Sequence, residues 1–251
     1  MVEIDARDLS IRDLNNRIRD AAESDSDVAV SHPEARHNIA VGLTRAVHLT
    51  IRGSAGYFCA GLVDGPTVDV AGNVGWGFGD NLVNGVLRVD GGAGAVCGVA
   101  MRSGHILVRG NVGSRAGQVM KGGTLVCMGN AGFRAGSMMM GGALIVLGDA
   151  RADLGEFIMD GQIFVAGTID SLGEDAVEVP FEATQREQVD AALARHGLSH
   201  PGVFRRIISD QRALRYAEYE KGELLFNEAQ TQKAKTAAAD GNRDVMPFDA
   251  D

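Results

Sequence analysis

Aromatic side chains are scarce in this chain, at 5% of 251 residues, and proline occurs only five times. Low proline beside abundant glycine excludes a collagen-like chain and a proline-rich disordered tract. Cationic excess is also missing: 24 Lys and Arg stand against 33 Asp and Glu, a net charge of −9. That balance argues against nucleic acid or an anionic membrane as the main partner. Only three cysteines occur, Cys59, Cys97 and Cys127. They form no C-x-x-C pair, so neither a zinc ribbon nor a redox motif is indicated. No apolar run approaches the roughly 20 residues that span a bilayer. The opening "MVEIDARDLSIRDL" has no basic-then-apolar signal pattern, so a cytoplasmic setting is expected. What is abundant is glycine, 34 residues.

The glycines are periodic. Gly53, Gly72, Gly91, Gly110, Gly129, Gly148 and Gly167 recur at one constant interval of 19 residues. Gly56, Gly75, Gly94, Gly113 and Gly132 form a second column, Gly79 to Gly155 a third and Gly85 to Gly161 a fourth. Apolar residues keep the same interval: Leu49, Val68, Leu87, Ile106, Leu125, Leu144, Ile163; Ile51, Val70, Val89, Val108, Cys127, Val146, Val165; and Val63, Leu82, Met101, Met120, Met139, Ile158. Within a unit, stretches such as "ILVRG" at 106–110 alternate with period two, the signature of a strand. No unit leaves room for a helix. A short-strand unit that cannot bury its own apolar face must stack on its neighbours. The expected fold is therefore all-β: a parallel β-solenoid with 19-residue coils, each pairing with the next. At about 4.8 Å per coil, seven coils make a rod about 34 Å long. The leucine-rich-repeat signature is absent, and 19 is not a multiple of six.

The run "GNVGWGFGDN" at 72–81 resembles the glycine pattern of a nucleotide-phosphate cradle, but that pattern needs a strand before it and a helix after it. Here two more glycine turns follow, so Gly75, Gly77 and Gly79 are read as coil corners. Cys59 and Cys97 share a column two coils apart, too far for a disulfide, and read with Cys127 as small core residues. His48 and His105 lie three coils apart, beyond the reach of one metal ion. His196 and His200 have H-x-x-x-H spacing, but Gly197 and Pro201 break any helix there. Arg115 and Arg134 share a column with Asp153 one coil on. Stacked cations need an anion between them, so this column is either a solvated edge or a surface for an acidic partner or anionic ligand. The column Thr50, Asp69, Arg88, Leu107, Val126, Ile145, Phe164 faces away from the coil interior and turns apolar along the rod. Leu107, Val126, Ile145 and Phe164 must therefore be covered, by the chain's own C-terminal segment or by another subunit; the second is the working interface.

Three regions follow: an N-terminal cap at 1–45, the β-helix at 46–176, and a helical extension and tail at 177–251. "SIRDLNNRIRDAAE" reads as a short helix capped by Ser10. "EATQREQVDAALARHGL" and "RRIISDQRALRYAEYEKGELLF" read as helices split by "SHPG", suited to closing the open end of the solenoid. "TAAADGNRDVMPFDAD" reads as an extended tail.

"GSAGYFCAGLVDGPTVDVAGNVGWGFG", "GNVGSRAGQVMKGGTLVCMGNAGFRAG" and "GGALIVLGD" resemble the GXGXG domain at the C-terminus of the glutamate synthase large subunit. The same domain type occurs in one of the subunits of formylmethanofuran dehydrogenase. "FVAGTIDSLGEDA" followed by a helical tail is most similar to the stand-alone GXGXG subunits of N-methylglutamate synthase and the related GlxC proteins. The resemblance implies a right-handed β-helix with no catalytic, cofactor or metal residues of its own. The partners it implies are a class II glutamine amidotransferase-like subunit and an FMN-binding, glutamate synthase-like subunit carrying FMN and an iron–sulfur cluster. The implied activity of such a hetero-oligomer is N-methylglutamate formation in methylamine metabolism. The amidotransferase nucleophile of the family is an N-terminal cysteine, whereas this chain begins Met1-Val2. A formylmethanofuran-type scaffold is the first alternative. An independent enzyme with a site on a solenoid face, using Arg115, Arg134 and Asp153, is the second.

Overall fold

A computed structural model of the protein describes residues 1–210. Eleven strands form one sheet. They are β1 (Val2–Asp5), β2 (Asp27–Ser31), β3 (His48–Arg52), β4 (Asp64–Val70), β5 (Asn84–Val89), β6 (His105–Val108), β7 (Lys121–Cys127), β8 (Met140–Val146), β9 (Asp160–Val165), β10 (Ala176–Val179) and β11 (Arg205–Ser209). Two helices, α1 (Ile11–Ser24) and α2 (Ala183–Ala194), complete the described elements. From β1 to β9 every neighbour is the next strand in sequence and every pair is parallel. A chain that returns in parallel to its own edge on each pass is a β-solenoid.

The register is the one the repeat dictates. Leu49 faces Val68, Val68 faces Leu87, and the column continues through Ile106, Leu125 and Leu144 to Ile163. A second ladder of single parallel bridges runs Ala55, Val74, Ala93, Val112, Ala131, Ala150, Ile169. Inward side chains from both ladders are buried except the terminal Ile169, which is partly buried, together with the Val63-to-Ile158 column. Cys59, Cys97, Ala116, Ala135 and Leu154 share one buried column with Phe78, which fills the width its small neighbours leave. Each Leu, Ile or Val so buried contributes roughly 1.5–3 kcal/mol.

The glycine columns have two physical causes. Gly79, Gly98, Gly117, Gly136 and Gly155 sit at φ of +67° to +71°, a left-handed region open to glycine at no steric cost. The column from Gly72 to Gly167 is needed for close approach instead. Gly148 N–H donates to Gly129 O at 3.0 Å, and a Cβ on Gly148 would fall 2.7 Å from that same oxygen.

A polar column that the glycine pattern overshadows also stacks. The side-chain oxygen of Asn73 accepts from Gly92 N–H, that of Asn111 from Asn130 N–H, that of Asn130 from Asp149 N–H, and that of Asp149 from Thr168 N–H, each at 2.8 Å. Each residue satisfies a corner amide one winding on. Its signal is present in the sequence: Ser54, Asn73, Gly92, Asn111, Asn130, Asp149 and Thr168 keep the 19-residue interval.

The ends depart from the repeat. Residues 27–45, assigned by the sequence to a cap, form a winding of their own. Here β2 pairs with β3, Asn38 N–H donates to Tyr57 O at 2.7 Å, and Gly42 N–H donates to Gly61 O at 2.8 Å. Its strand register is offset by 21 residues, as between Asp27 and His48. Helix α1 packs against β1 and β2, with Leu14 and Ile18 in the core. Ser10 caps it by accepting from Asp13 N–H at 3.1 Å, as its sequence implies. At the far end the expected second helix is corrected: "RRIIS" forms β11, antiparallel to both β9 and β10. The open edge of β9 offers unpaired backbone groups, and two adjacent β-branched isoleucines after Pro201 and Gly202 satisfy them better as a strand than as a helical turn. The remainder of that segment and the tail lie outside the described residues.

Candidate partner-binding surfaces

The outward face of the parallel strands has two halves. Near the start, polar groups pair between windings. His48 lies between Asp27 (3.3 Å) and Asp69 (2.7 Å), and Arg88 donates to Asp69 at 3.1 Å. Further on, Leu107, Val126, Ile145 and Phe164 are fully buried, packed with Val189, Ala192 and Leu193 of α2 and with Phe204. This corrects the expected partner interface: the chain's own α2 takes the apolar column. The reason is proximity. The polypeptide leaves β10 beside this face, and a helix with a three-residue apolar contact costs little loop entropy to lay there.

An aromatic clasp holds the covering segment in place. Phe181 stands edge-on to Phe164 with ring centres 5.9 Å apart, and Phe204 lies 5.7 Å from Phe181. The Arg186 guanidinium sits 5.1 Å over Phe181 and donates to the carbonyl oxygens of His200, at 3.0 Å, and Gly202. Such contacts tie the 198–204 turn to the helix that precedes it.

The other singled-out residues resolve as follows. Arg134 pairs with Asp153 and Glu156, each at 3.3 Å, so the Arg115–Arg134–Asp153 column is in part an ion-paired edge. Arg115 is exposed one winding away. Burial pushes the Cys59 thiol up to about 12 and the Cys127 thiol up to about 11, which keeps both as inert thiols at neutral pH. His196 and His200 face different neighbours: His196 stands edge-on to His105 at 6.3 Å, and His200 packs on Phe204 at 5.2 Å. Burial, with Arg88, His105, Arg109 and Arg195 nearby, holds the His196 imidazole down at about 4. Burial also lowers His105. The pair is therefore uncharged at neutral pH and packs as two flat rings. Among the described residues no group of three or more His, Cys, Asp or Glu is placed to hold a metal ion, and no helix is long and apolar enough to cross a membrane.

Among the described residues, two of the exposed surfaces outside the core are notably apolar. One is the stack His37–Tyr57–Trp76, with ring centres 4.4 and 5.5 Å apart. Its rings lie flat over the next winding: a Cβ on Gly94 would meet Trp76 Cδ1 at 2.7 Å. The other is a corner ridge of two columns flanking the inward Val63-to-Ile158 column. Leu62, Asn81, Ala100, Val119, Met138 and Phe157 make the first, and all six have φ between +51° and +56°. Asp64, Val83, Arg102, Lys121, Met140 and Met159 make the second, all exposed. At the later windings Met138, Met140, Phe157 and Met159 adjoin one another, each 38–51% exposed. The strand alternation of the sequence places Met138 and Met140 outward, but it does not show the patch they make with the next winding.

The fold and its surfaces define a class: a parallel β-solenoid with a lateral helix and exposed apolar corners. No model of a known protein family matches the chain. Over 87 residues it is 37% identical to Protein GlxC of Rhizobium meliloti (strain 1021), covering 34% of this chain and 38% of that protein. The matched part thus spans well under half the length of that relative. A chain of the formyltransferase/hydrolase complex (FhcABCD) from Methylorubrum extorquens, solved with methylofuran, shares the fold with a TM-score of 0.57 and 17% identity. That match covers 79% of this chain and 85% of the other.

Proposed function

We propose that this chain is a structural subunit of a multi-subunit, glutamate synthase-like complex of the N-methylglutamate synthase type. In this reading it holds an amidotransferase-like subunit and an FMN- and iron–sulfur-bearing synthase subunit in register for ammonia or amine transfer, and carries neither cofactor itself. The observation that carries the reading is the continuous pairing from β1 to β9, backed by the second ladder of bridges. Two hydrogen-bonded ladders along one axis resist bending, and a stiff body keeps two sites at a fixed separation, which favours direct transfer over loss of an intermediate to bulk solvent. The 37% identity to Protein GlxC over 87 residues supports the GlxC-like resemblance on which this branch rests. Co-expression with an amidotransferase-like and an FMN-binding synthase-like chain tests it. A stable complex forming N-methylglutamate from methylamine and glutamate, with activity lost when this chain is omitted, is the expected outcome. Recovery of this chain alone, or turnover by it without partners, contradicts it.

The likeness to a chain of the FhcABCD complex favours a second reading, a scaffold in a formyl-transferring complex. Co-expression with formyltransferase- and hydrolase-type chains separates the two: only one partner set should form a complex.

A further inference from the structure

The corner ridge is not explained by the fold. Non-glycine residues reach the left-handed region at a steric cost, and β-branched residues such as Val119 are the least suited to it. Glycine would occupy those corners without that cost, as it does two residues earlier in every winding from Gly79 to Gly155. Met138 and Phe157 stand there instead, 38% and 43% exposed. The Tyr57 and Trp76 rings are accounted for by lying on Gly75 and Gly94; the Met and Phe ridge has no such role.

We propose that this ridge seats a segment of a partner subunit in which acidic side chains adjoin apolar ones. The apolar part lies over Met138, Met140, Phe157 and Met159, and the carboxylates over Arg102 and Lys121. Both cations share the Met140 and Met159 column and are exposed, and neither has a carboxylate partner among the described residues. In a chain of net charge −9, two adjacent unpaired cations bordering an apolar patch select for an acidic occupant. Three thioethers beside one aromatic ring make an adaptable contact surface. From Arg102 to Met159 the strip crosses three windings, about 14 Å, the reach of four or five extended residues. The proposal rests on the reading that this chain works inside a complex.

The test uses the full chain co-expressed with amidotransferase-like and FMN-binding synthase-like chains. A photo-crosslinking residue at position 157 should capture one partner, and the captured peptide should carry Asp or Glu beside apolar residues. Met140→Asp with Phe157→Asp should weaken partner binding about a hundredfold, the loss expected of two apolar anchors. The melting temperature of the isolated chain should stay unchanged. Arg102→Glu with Lys121→Glu, which removes no packing, should weaken binding about tenfold at low ionic strength and less at high salt. A complex that tolerates both double variants overturns the ridge while leaving the scaffold reading intact. So does a crosslink from position 157 to a second copy of this chain or to residues 211–251. A wild-type chain that binds neither partner overturns the scaffold reading and the ridge together.

Discussion

Two of the apolar surfaces outside the solenoid core have met different fates. The strand-face column Leu107, Val126, Ile145, Phe164 is fully buried beneath α2, while the corner ridge of Met138, Met140, Phe157 and Met159 stays open. Their compositions are alike, and both arise by stacking similar side chains at the same interval. What separates them is connectivity. The chain that leaves β10 passes beside the strand face, and its helix and β11 close over that face and the edge of β9. None of the described segments passes over the corner ridge. An apolar column by itself announces that something covers it; which polypeptide does so is decided by where the chain goes next.

The sharpest way to break this contrast is to place the same charge on each surface. Ile145→Asp should destabilise the isolated chain by about 4 kcal/mol, the cost of an unpaired buried carboxylate. Met140→Asp should change it by less than about 0.5 kcal/mol, as exposed substitutions do. Urea unfolding of both variants checks the pair, and equal effects would mean that α2 does not cover the face. Truncating the cover itself is next: Leu193→Ala should cost about 3 kcal/mol. Its hydrogen-exchange protection should fall in α2 and β11 while β4 to β7 keep theirs.

Asn130→Ala probes the winding itself rather than its cover. Removing the acceptor for Asp149 N–H should cost about 1 kcal/mol, read as a lower urea midpoint with an unchanged far-ultraviolet circular dichroism spectrum. A pH-dependent effect concerns the turn after α2. His196 is held neutral in the folded chain, at about 4, whereas an unfolded imidazole titrates near 6.5. Between those values the unfolded chain binds more protons, so stability is full above pH 6.5 and declines as pH falls toward 4. His196→Phe should flatten that decline in the urea midpoint measured from pH 7 to pH 4, and an unchanged slope would place the imidazole in solvent.

Much of the fold is legible in the residues alone. Columns such as Leu49-to-Ile163 appear as register partners because a side chain's inward direction repeats only if the windings superpose, and a constant interval is the direct record of superposition. Ser10 caps its helix for an equally local reason. The Asx ladder is written in the same interval, hidden by the glycines that dominate the pattern. By contrast, "RRIIS" reads as helical and folds as a strand. Two isoleucines and two arginines fit either structure locally, and the decision comes from the unpaired edge of β9, some forty residues earlier in the chain. Leu107 to Phe164 do need a cover, as their pattern implies, but the cover is α2 and not a partner subunit, since apolar surface carries no label for what will bury it.

The sequence by itself determined the winding: its period, its inward residues and the corners where a Cβ cannot fit, because each depends only on a unit meeting its own copy. The tertiary structure alone decided the closure of the sheet by β11, the burial of one outward column under α2 and the exposure of the other. Those outcomes depend on which free edge and which bare surface a non-repeating segment reaches first, and no single unit of the repeat contains that information.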